Sequence, residues 1–117
     1  SWCRNKGYAN RRDACFVITP PLVDDIGNTY SAGMAARIGG FGTTRNYAVV
    51  NAKTKHIGTP IATAIEHEIG HLLGAIHVDS PSGTVMDPSA IGYAVYGRML
   101  AWDARSVALM YELLRRK

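Results

Sequence analysis

Apolar residues along the chain occur in short runs that polar and glycine-rich segments separate. Residues 16–19 form a β-branched run that ends at Pro20 and Pro21, and residues 47–51 form an almost continuous apolar run. Runs of this length and composition predict β-strands. The second run predicts a strand buried on both faces, whereas residues 30–37 favour no particular element.

Helical periodicity marks two longer segments. Thr59 and Pro60 predict a helix start, with threonine as the N-cap and proline in the first helical position. Gly74 predicts that this helix ends near residue 73, because glycine readily adopts the left-handed conformation of a C-cap. The face predicted to pack on the sheet carries Ile61, Ile65, Ile69 and Leu72. A second helix is predicted over residues 101–114, with apolar positions at Val107, Met110, Tyr111 and Leu114.

Composition and charge narrow the class of protein. The chain has 117 residues, of which 47% are hydrophobic, as expected of one small folded domain rather than a disordered chain. No apolar run approaches the length of a membrane helix, so no membrane span is predicted. The net charge of +4 comes largely from basic residues near both ends. These residues form no stripe interleaved with aromatic side chains, so nucleic-acid binding is not expected.

Two cysteines enclose a polar loop near the start of the chain. Cys3 and Cys15 are separated by eleven residues, which favours a small disulfide loop, with two buried free thiols as the alternative. A disulfide would place the protein in an oxidising, and therefore secreted or extracytoplasmic, compartment.

Three of the four histidines lie within one stretch of eleven residues. His67 and His71 are four residues apart, so a helix presents both on one face and both can bind the same ion. Gly74 allows a sharp turn after which His77 can supply a third imidazole. Three neutral imidazoles leave a fourth position to water, which is typical of catalytic zinc sites. Glu68, directly after the first histidine, is placed to take a proton from that water.

This stretch resembles the HExxHxxGxxH motif of the metzincins, a clan of zinc endopeptidases that share a methionine-containing turn downstream. Residues 82–88 resemble that turn, and the resemblance implies that Met86 lies beneath the three histidines as the base of the site. The resemblance covers roughly residues 44–117, and residues 30–36 faintly resemble the edge strand at the rim of the clan's cleft. Pro88 favours matrixin- or adamalysin-like geometry, whereas Val78, after the third histidine, leaves the subfamily open.

The resemblance also implies an architecture. The expected fold is α+β, with a small mixed sheet, an active-site helix, a C-terminal helix and a cleft between an upper subdomain (1–74) and a lower one (75–117). Residues 1–117 would form one minimal or truncated catalytic domain, because the clan's first strand–helix unit is missing or reduced. An additional chain or subunit could supply that unit. Substrate preference is expected to depend on Pro88, Ser89, Ala90 and Ile91.

The sequence thus predicts a zinc-dependent endopeptidase that cleaves a peptide or protein substrate with a water activated by zinc and Glu68. Two alternatives stay open: a catalytic subunit or fragment of a secreted toxin or effector assembly, and a zinc-binding module without catalysis. Calcium is a further alternative that no motif supports. The aspartates that could bind it match no calcium-loop spacing and are expected in turns and caps: Asp24, Asp25, Asp79 and Asp87.

Overall fold

The computed structural model describes residues 14–19, 33–51, 59–88, 90 and 100–116. Within these ranges the chain forms three strands and two helices: β1 (Cys15–Thr19), β2 (Gly33–Ala35), β3 (Tyr47–Asn51), α1 (Thr59–Leu72) and α2 (Ala104–Arg116). The protein is therefore a small mixed α+β structure, which confirms the predicted fold class at this level. In the described part of the chain, neither helix is long and apolar enough to cross a membrane.

The three strands form one mixed sheet in the order β1-β3-β2. β1 runs parallel to β3, and β2 runs antiparallel to β3 with Gly33 opposite Val50. The backbone amide of Ala36 donates to the carbonyl of Tyr47. Because inward- and outward-facing backbone groups alternate along an antiparallel strand, those of Gly33 and Ala35 face the outer edge of β2.

The central strand β3 is less evenly buried than predicted. Ala48 and Val50 are fully buried, whereas Tyr47 and Val49 are only half-buried, so the expected burial on both faces is wrong in part. Side chains alternate between the two faces of a strand. One face of β3 therefore contributes to the core, and the other stays partly exposed. The bounds of β1 and β3 confirm the two predicted strands.

Helix α1 has nearly the predicted bounds, but its most buried face is not the isoleucine face. On the face predicted to pack on the sheet, Leu72 is buried as expected, but the isoleucines at 61, 65 and 69 are only half-buried. In contrast, His67, Glu68 and His71 are each no more than 9% exposed. The histidine-bearing face packs against β2 and the segment that follows the helix, so its polar groups are enclosed by the protein.

Helix α2 begins three residues later than predicted because Asp103 caps it. The Asp103 carboxylate accepts hydrogen bonds from the backbone amide of Ser106 at 2.9 Å and from its hydroxyl at 2.5 Å. This satisfies an amide that the first helical turn leaves without an intrahelical acceptor. The predicted apolar face is wrong at Tyr111 and Leu114, which are exposed, whereas Ser106 and Leu113 are buried.

A small apolar cluster joins α2 to the segment that follows α1. Its buried members are Ala75, Val85 and Met86, and partly buried side chains pack against them: Val78, Leu100, Trp102 and Met110. Ala75 lies between His71 and His77 in the sequence, and Val85 and Met86 follow His77. The cluster therefore packs the chain segments that flank the histidines.

Candidate metal centre

The end of α1 determines where the three histidines meet. The helix places His67 and His71 one turn apart and ends at Leu72, two residues before Gly74, whose φ of 104° lies in the left-handed region. The amide of Ala75 donates to the carbonyl of Gly70 at 2.8 Å, and the amide of Gly74 donates to the carbonyl of His71 at 3.0 Å. This pair of bonds is a Schellman motif, which reverses the chain after the helix.

The reversal brings His77 to the other two histidines. The Nε2 atoms of His67 and His77 are 3.0 Å apart, and those of His71 and His77 are 3.2 Å apart. Among the described residues, these three form the group whose ligand atoms all lie within 4.8 Å of one another. The three imidazoles predicted from the spacing are therefore brought together and could bind one metal ion.

Backbone carbonyls fix the orientation of two of the rings. Nδ1 of His67 lies 2.6 Å from the carbonyl oxygen of Val85, and Nδ1 of His71 lies 2.9 Å from that of Ala75. A carbonyl only accepts hydrogen bonds, so each Nδ1 carries the proton and each neutral ring has its lone pair on Nε2. This is the arrangement by which metal-binding histidines are held by their surroundings.

Burial keeps these rings neutral. It lowers the pKa of His67 from 6.5 to about 4, while the Val85 carbonyl and the negative charge of Asp87 act in the opposite direction. Burial also lowers the pKa of His71. Both rings are thus neutral at pH 7, which is the form that binds metal.

The carboxyl group of Glu68 lies against the edge strand β2. A Cβ atom built on Gly33 would lie 2.9 Å from Oε2 of Glu68 and 2.9 Å from the carbonyl oxygen of Val49, so a glycine is needed for this approach. Burial raises the pKa of Glu68 to about 7, and a hydrogen bond from the backbone amide of Ala35 acts against this rise. A carboxyl group with this pKa can take up or release a proton near neutral pH.

Met86 and Trp102 pack closely against α1 between the two helical histidines. A Cβ atom on Gly70 would lie 2.5 Å from Sδ of Met86 and 2.9 Å from the ring of Trp102. Met86 is fully buried and belongs to the apolar cluster. The methionine therefore lies against the helix that carries two of the candidate ligands, and nothing in the sequence placed Trp102 beside it.

The turn between His77 and α2 is organised around Asp87. This side chain is fully buried, and its carboxylate accepts hydrogen bonds from the Ser80 hydroxyl at 2.5 Å and from the backbone amide of Ser82 at 2.7 Å. The expectation that Asp87 is a turn residue is consistent with these bonds, but its complete burial was not predicted. The available signal was its position directly after the apolar pair Val85 and Met86.

For the other predicted residues the structure shows only burial and backbone bonding, or they lie outside the described residues. Pro88 is exposed, and Ala90 is buried with its amide bonded to the carbonyl of Asp87. Cys15 is buried at the start of β1. Residues outside the described ranges are Cys3, Asp24, Asp25, Ser89 and Ile91. The disulfide, the substrate pocket and the division at residue 74 stay predictions.

Patterns of residue type do not reveal functional groups that belong to the backbone. The carbonyls of Val85 and Ala75, which orient two histidines, have no signature in residue type. The contact between β2 and Glu68 was also missed, and glycine at position 33 was its only signal.

No model of a known protein family matches the chain, and no curated protein matches it.

Proposed function

We propose that the protein is a zinc-dependent endopeptidase of the metzincin type. The observation that carries the proposal is the convergence of three imidazole nitrogens, together with the burial of the Glu68 carboxyl group, which directly follows the first histidine on α1. A structural metal site closes its coordination shell with four protein ligands, whereas three histidines leave one position open. The open position and the neighbouring carboxyl group support catalysis rather than a structural role.

The donor set fits zinc. Zinc–imidazole distances of 2.0–2.1 Å in a tetrahedral site require ligand nitrogens about 3.3 Å apart. The Nε2 distances from His77, 3.0 Å to His67 and 3.2 Å to His71, are close to this requirement. Neutral imidazoles suit zinc and related transition metals better than calcium or magnesium, which prefer oxygen ligands. When bound, zinc would supply Lewis-acid polarisation of the scissile carbonyl and of water.

Glu68 is the proposed general base and acid. Its carboxylate accepts a proton from the attacking water as the oxygen forms a bond to the carbonyl carbon of the peptide. The same carboxyl group then gives a proton to the amide nitrogen as the carbon–nitrogen bond breaks, so that the amine leaves in neutral form. The raised pKa of about 7 suits both transfers, because the group exchanges protons easily at neutral pH.

The outer edge of β2 is the proposed binding site for an extended peptide. The outward-facing carbonyl of Ala35 can accept a hydrogen bond from a substrate strand, as in other cases of strand addition, while its amide donates to Glu68. The hydrogen bond from Ala35 to Glu68 places the carboxyl group beside this edge. A peptide bound here would therefore pass close to the proposed general base.

We also propose a secreted or extracytoplasmic location. The Cys3–Cys15 disulfide expected from the sequence would form only in an oxidising compartment. Comparison of thiol content before and after reduction tests this part of the proposal separately.

The deciding experiment combines metal analysis with peptide cleavage. The purified protein should contain one zinc per chain and cleave members of a quenched-peptide library, and a chelator should abolish cleavage until zinc is restored. Glu68→Gln should keep its zinc and lose at least about a hundredfold in kcat. Glu66→Gln, two residues earlier on α1, is the matched control and should retain activity.

Two results would contradict the proposal. A zinc-loaded protein that cleaves no peptide would be a binding module without catalysis. Full activity of a zinc-loaded Glu68→Gln variant would remove Glu68 from the mechanism.

A further inference from the structure

The buried carboxylate of Asp87 lies at the centre of residues 80–87. In addition to the Ser80 hydroxyl and the Ser82 amide, it accepts a hydrogen bond from the Ser82 hydroxyl at 3.3 Å and a longer one from the amide of Gly83 at 3.4 Å. The amide of Asp87 itself donates to the carbonyl of Thr84 at 3.1 Å. Both ends of this turn are therefore tied to one side chain.

The two residues directly before Asp87 contact the metal-binding histidines or their neighbours. The carbonyl of Val85 accepts the hydrogen bond from Nδ1 of His67 at 2.6 Å. The carbonyl of Met86 accepts a hydrogen bond at 3.2 Å from the amide of Val78, the residue after His77. The position of residues 85 and 86 thus affects His67 through its ring and His77 through the backbone of the residue that follows it.

His77 depends on this backbone support more than the other two histidines. It is exposed, whereas His67 and His71 are buried and bonded to carbonyls through Nδ1. In the described part of the chain, no hydrogen bond is seen at Nδ1 of His77. The location of its ring is therefore determined by the path of the chain from Gly74 to the turn.

We propose that Asp87 is a positioning residue that holds the turn at residues 80–87 so that His67 and His77 meet in metal-binding geometry. The inference rests on the metal centre of the proposed function, but not on peptide hydrolysis. A carboxylate suits this position because it only accepts hydrogen bonds, and the groups around it are donors. An asparagine of the same shape would direct its NH2 group at one of these donors.

The experiment measures metal affinity directly. Cobalt(II) is titrated into the metal-free protein, its visible spectrum is recorded, and zinc affinity is then obtained by competition with a chromophoric chelator. All measurements are made well below the unfolding temperature of each metal-free variant. Asp87→Asn is expected to weaken metal binding by about 10- to 100-fold and to change the cobalt spectrum. Asp79→Asn, an exposed position in the same segment, is the matched control and should behave as wild type.

A second pair of variants addresses the case in which Asp87→Asn does not fold. Ser80→Ala and Ser82→Ala each remove an exposed hydroxyl that donates to the carboxylate, and each should weaken metal binding severalfold. In a folded Asp87→Asn background, Ser80→Ala should add little, since the two residues act through the same bond.

The possible outcomes separate this inference from the proposed function. A folded Asp87→Asn variant with wild-type affinity and spectrum overturns the inference, and so does a variant that only lowers the unfolding temperature. If Asp87→Asn does not fold, wild-type affinity in both serine variants overturns it. A wild-type protein that binds no metal contradicts both proposals, whereas metal binding without peptide hydrolysis contradicts the proposed function alone.

Discussion

At position 33 of β2 the backbone passes close to the Glu68 carboxyl group. A Cβ atom there would lie 2.9 Å from Oε2 and 3.2 Å from Cγ of Glu68, and the carbonyl of Val49 closes the other side. A β-carbon therefore cannot be accommodated unless both the Glu68 side chain and the backbone at Val49 shift. The location of the proposed general base thus depends on a residue that has no side chain of its own.

Gly33→Ala is expected to displace the carboxyl group while leaving the three histidines in place. A shift of about 1 Å in a catalytic group can cost about a hundredfold in rate, so kcat should fall by about 10- to 100-fold. Zinc content should not change, because the atoms nearest to a Cβ at position 33 belong to Glu68 and Val49 rather than to a histidine. Steady-state peptide cleavage and metal analysis check this. Met34→Ala, at an exposed position of the same strand, is the control, and an unchanged kcat in Gly33→Ala would contradict the argument.

Individual residues differ in how well the sequence predicts their roles. The spacing of His67, His71 and His77 predicts their convergence, because helical geometry and one glycine C-cap determine it locally. The partners of these rings could not be predicted, since they are carbonyl groups and every residue has one. Asp87 was expected in a turn because its spacing from the other aspartates matches no calcium loop and aspartate is common in turns. Its burial depends on tertiary packing, which local sequence does not encode.

Long elements with clear start and stop residues were predicted well, whereas short elements without them were not. Helix α1 begins at Thr59 and ends beside Gly74 because both residues are strong local signals. β2 has only three residues, of which Gly33 and Ala35 are small, so no apolar alternation marks it. β2 forms because its backbone pairs with the edge of β3. The burial of the histidine-bearing face of α1 also went unpredicted, since hydrophobic periodicity assigns the interior to isoleucines.

The C-terminal end of α1 links helix stability to the geometry of the candidate metal centre. Gly74 adopts a φ of 104°, which side-chain-bearing residues rarely adopt, and the Schellman bonds around it place the Ala75 carbonyl on Nδ1 of His71. The same reversal directs the chain to His77. One backbone conformation therefore positions two of the three candidate ligands.

Gly74→Ala should weaken both folding and metal binding. The strained backbone conformation is expected to cost about 1–3 kcal/mol of unfolding free energy, measured by urea denaturation of the metal-free protein. If the chain relieves this strain by altering the turn, cobalt affinity falls as well. Gly74→Asn is the matched variant, because asparagine tolerates left-handed conformations better than alanine, and it should recover part of both losses. Equal behaviour of the two variants would contradict the backbone explanation.

For the whole molecule, the enclosed histidines and carboxyl group make stability depend on pH in two opposing ways. The folded state lowers the pKa of His67 from 6.5 to about 4, so the unfolded chain takes up the proton first and stability falls as the pH decreases from 6.5 towards 4. The folded state raises the pKa of Glu68 from 4.5 to about 7, so its contribution is present below pH 4.5 and is lost as the pH rises through 7. Without metal, the two effects partly cancel between pH 4.5 and 6.5.

Glu68→Gln removes one of these opposing effects and leaves the other. The metal-free variant should be more stable than metal-free wild type at pH 8, by an amount on the order of 1–2 kcal/mol once solvent screening is allowed for. The difference should shrink towards zero at pH 4, where Glu68 is protonated in both folded and unfolded wild type. Thermal denaturation in chelator at each pH unit from 4 to 8 measures this. Glu112→Gln, at an exposed position of α2, controls for loss of a carboxylate and should not give this pattern. A variant that is less stable than wild type at pH 8 would mean that Glu68 stabilises the fold and would contradict the prediction. The expected gain in stability would mean that the protein keeps a destabilising carboxyl group where the proposed chemistry needs it.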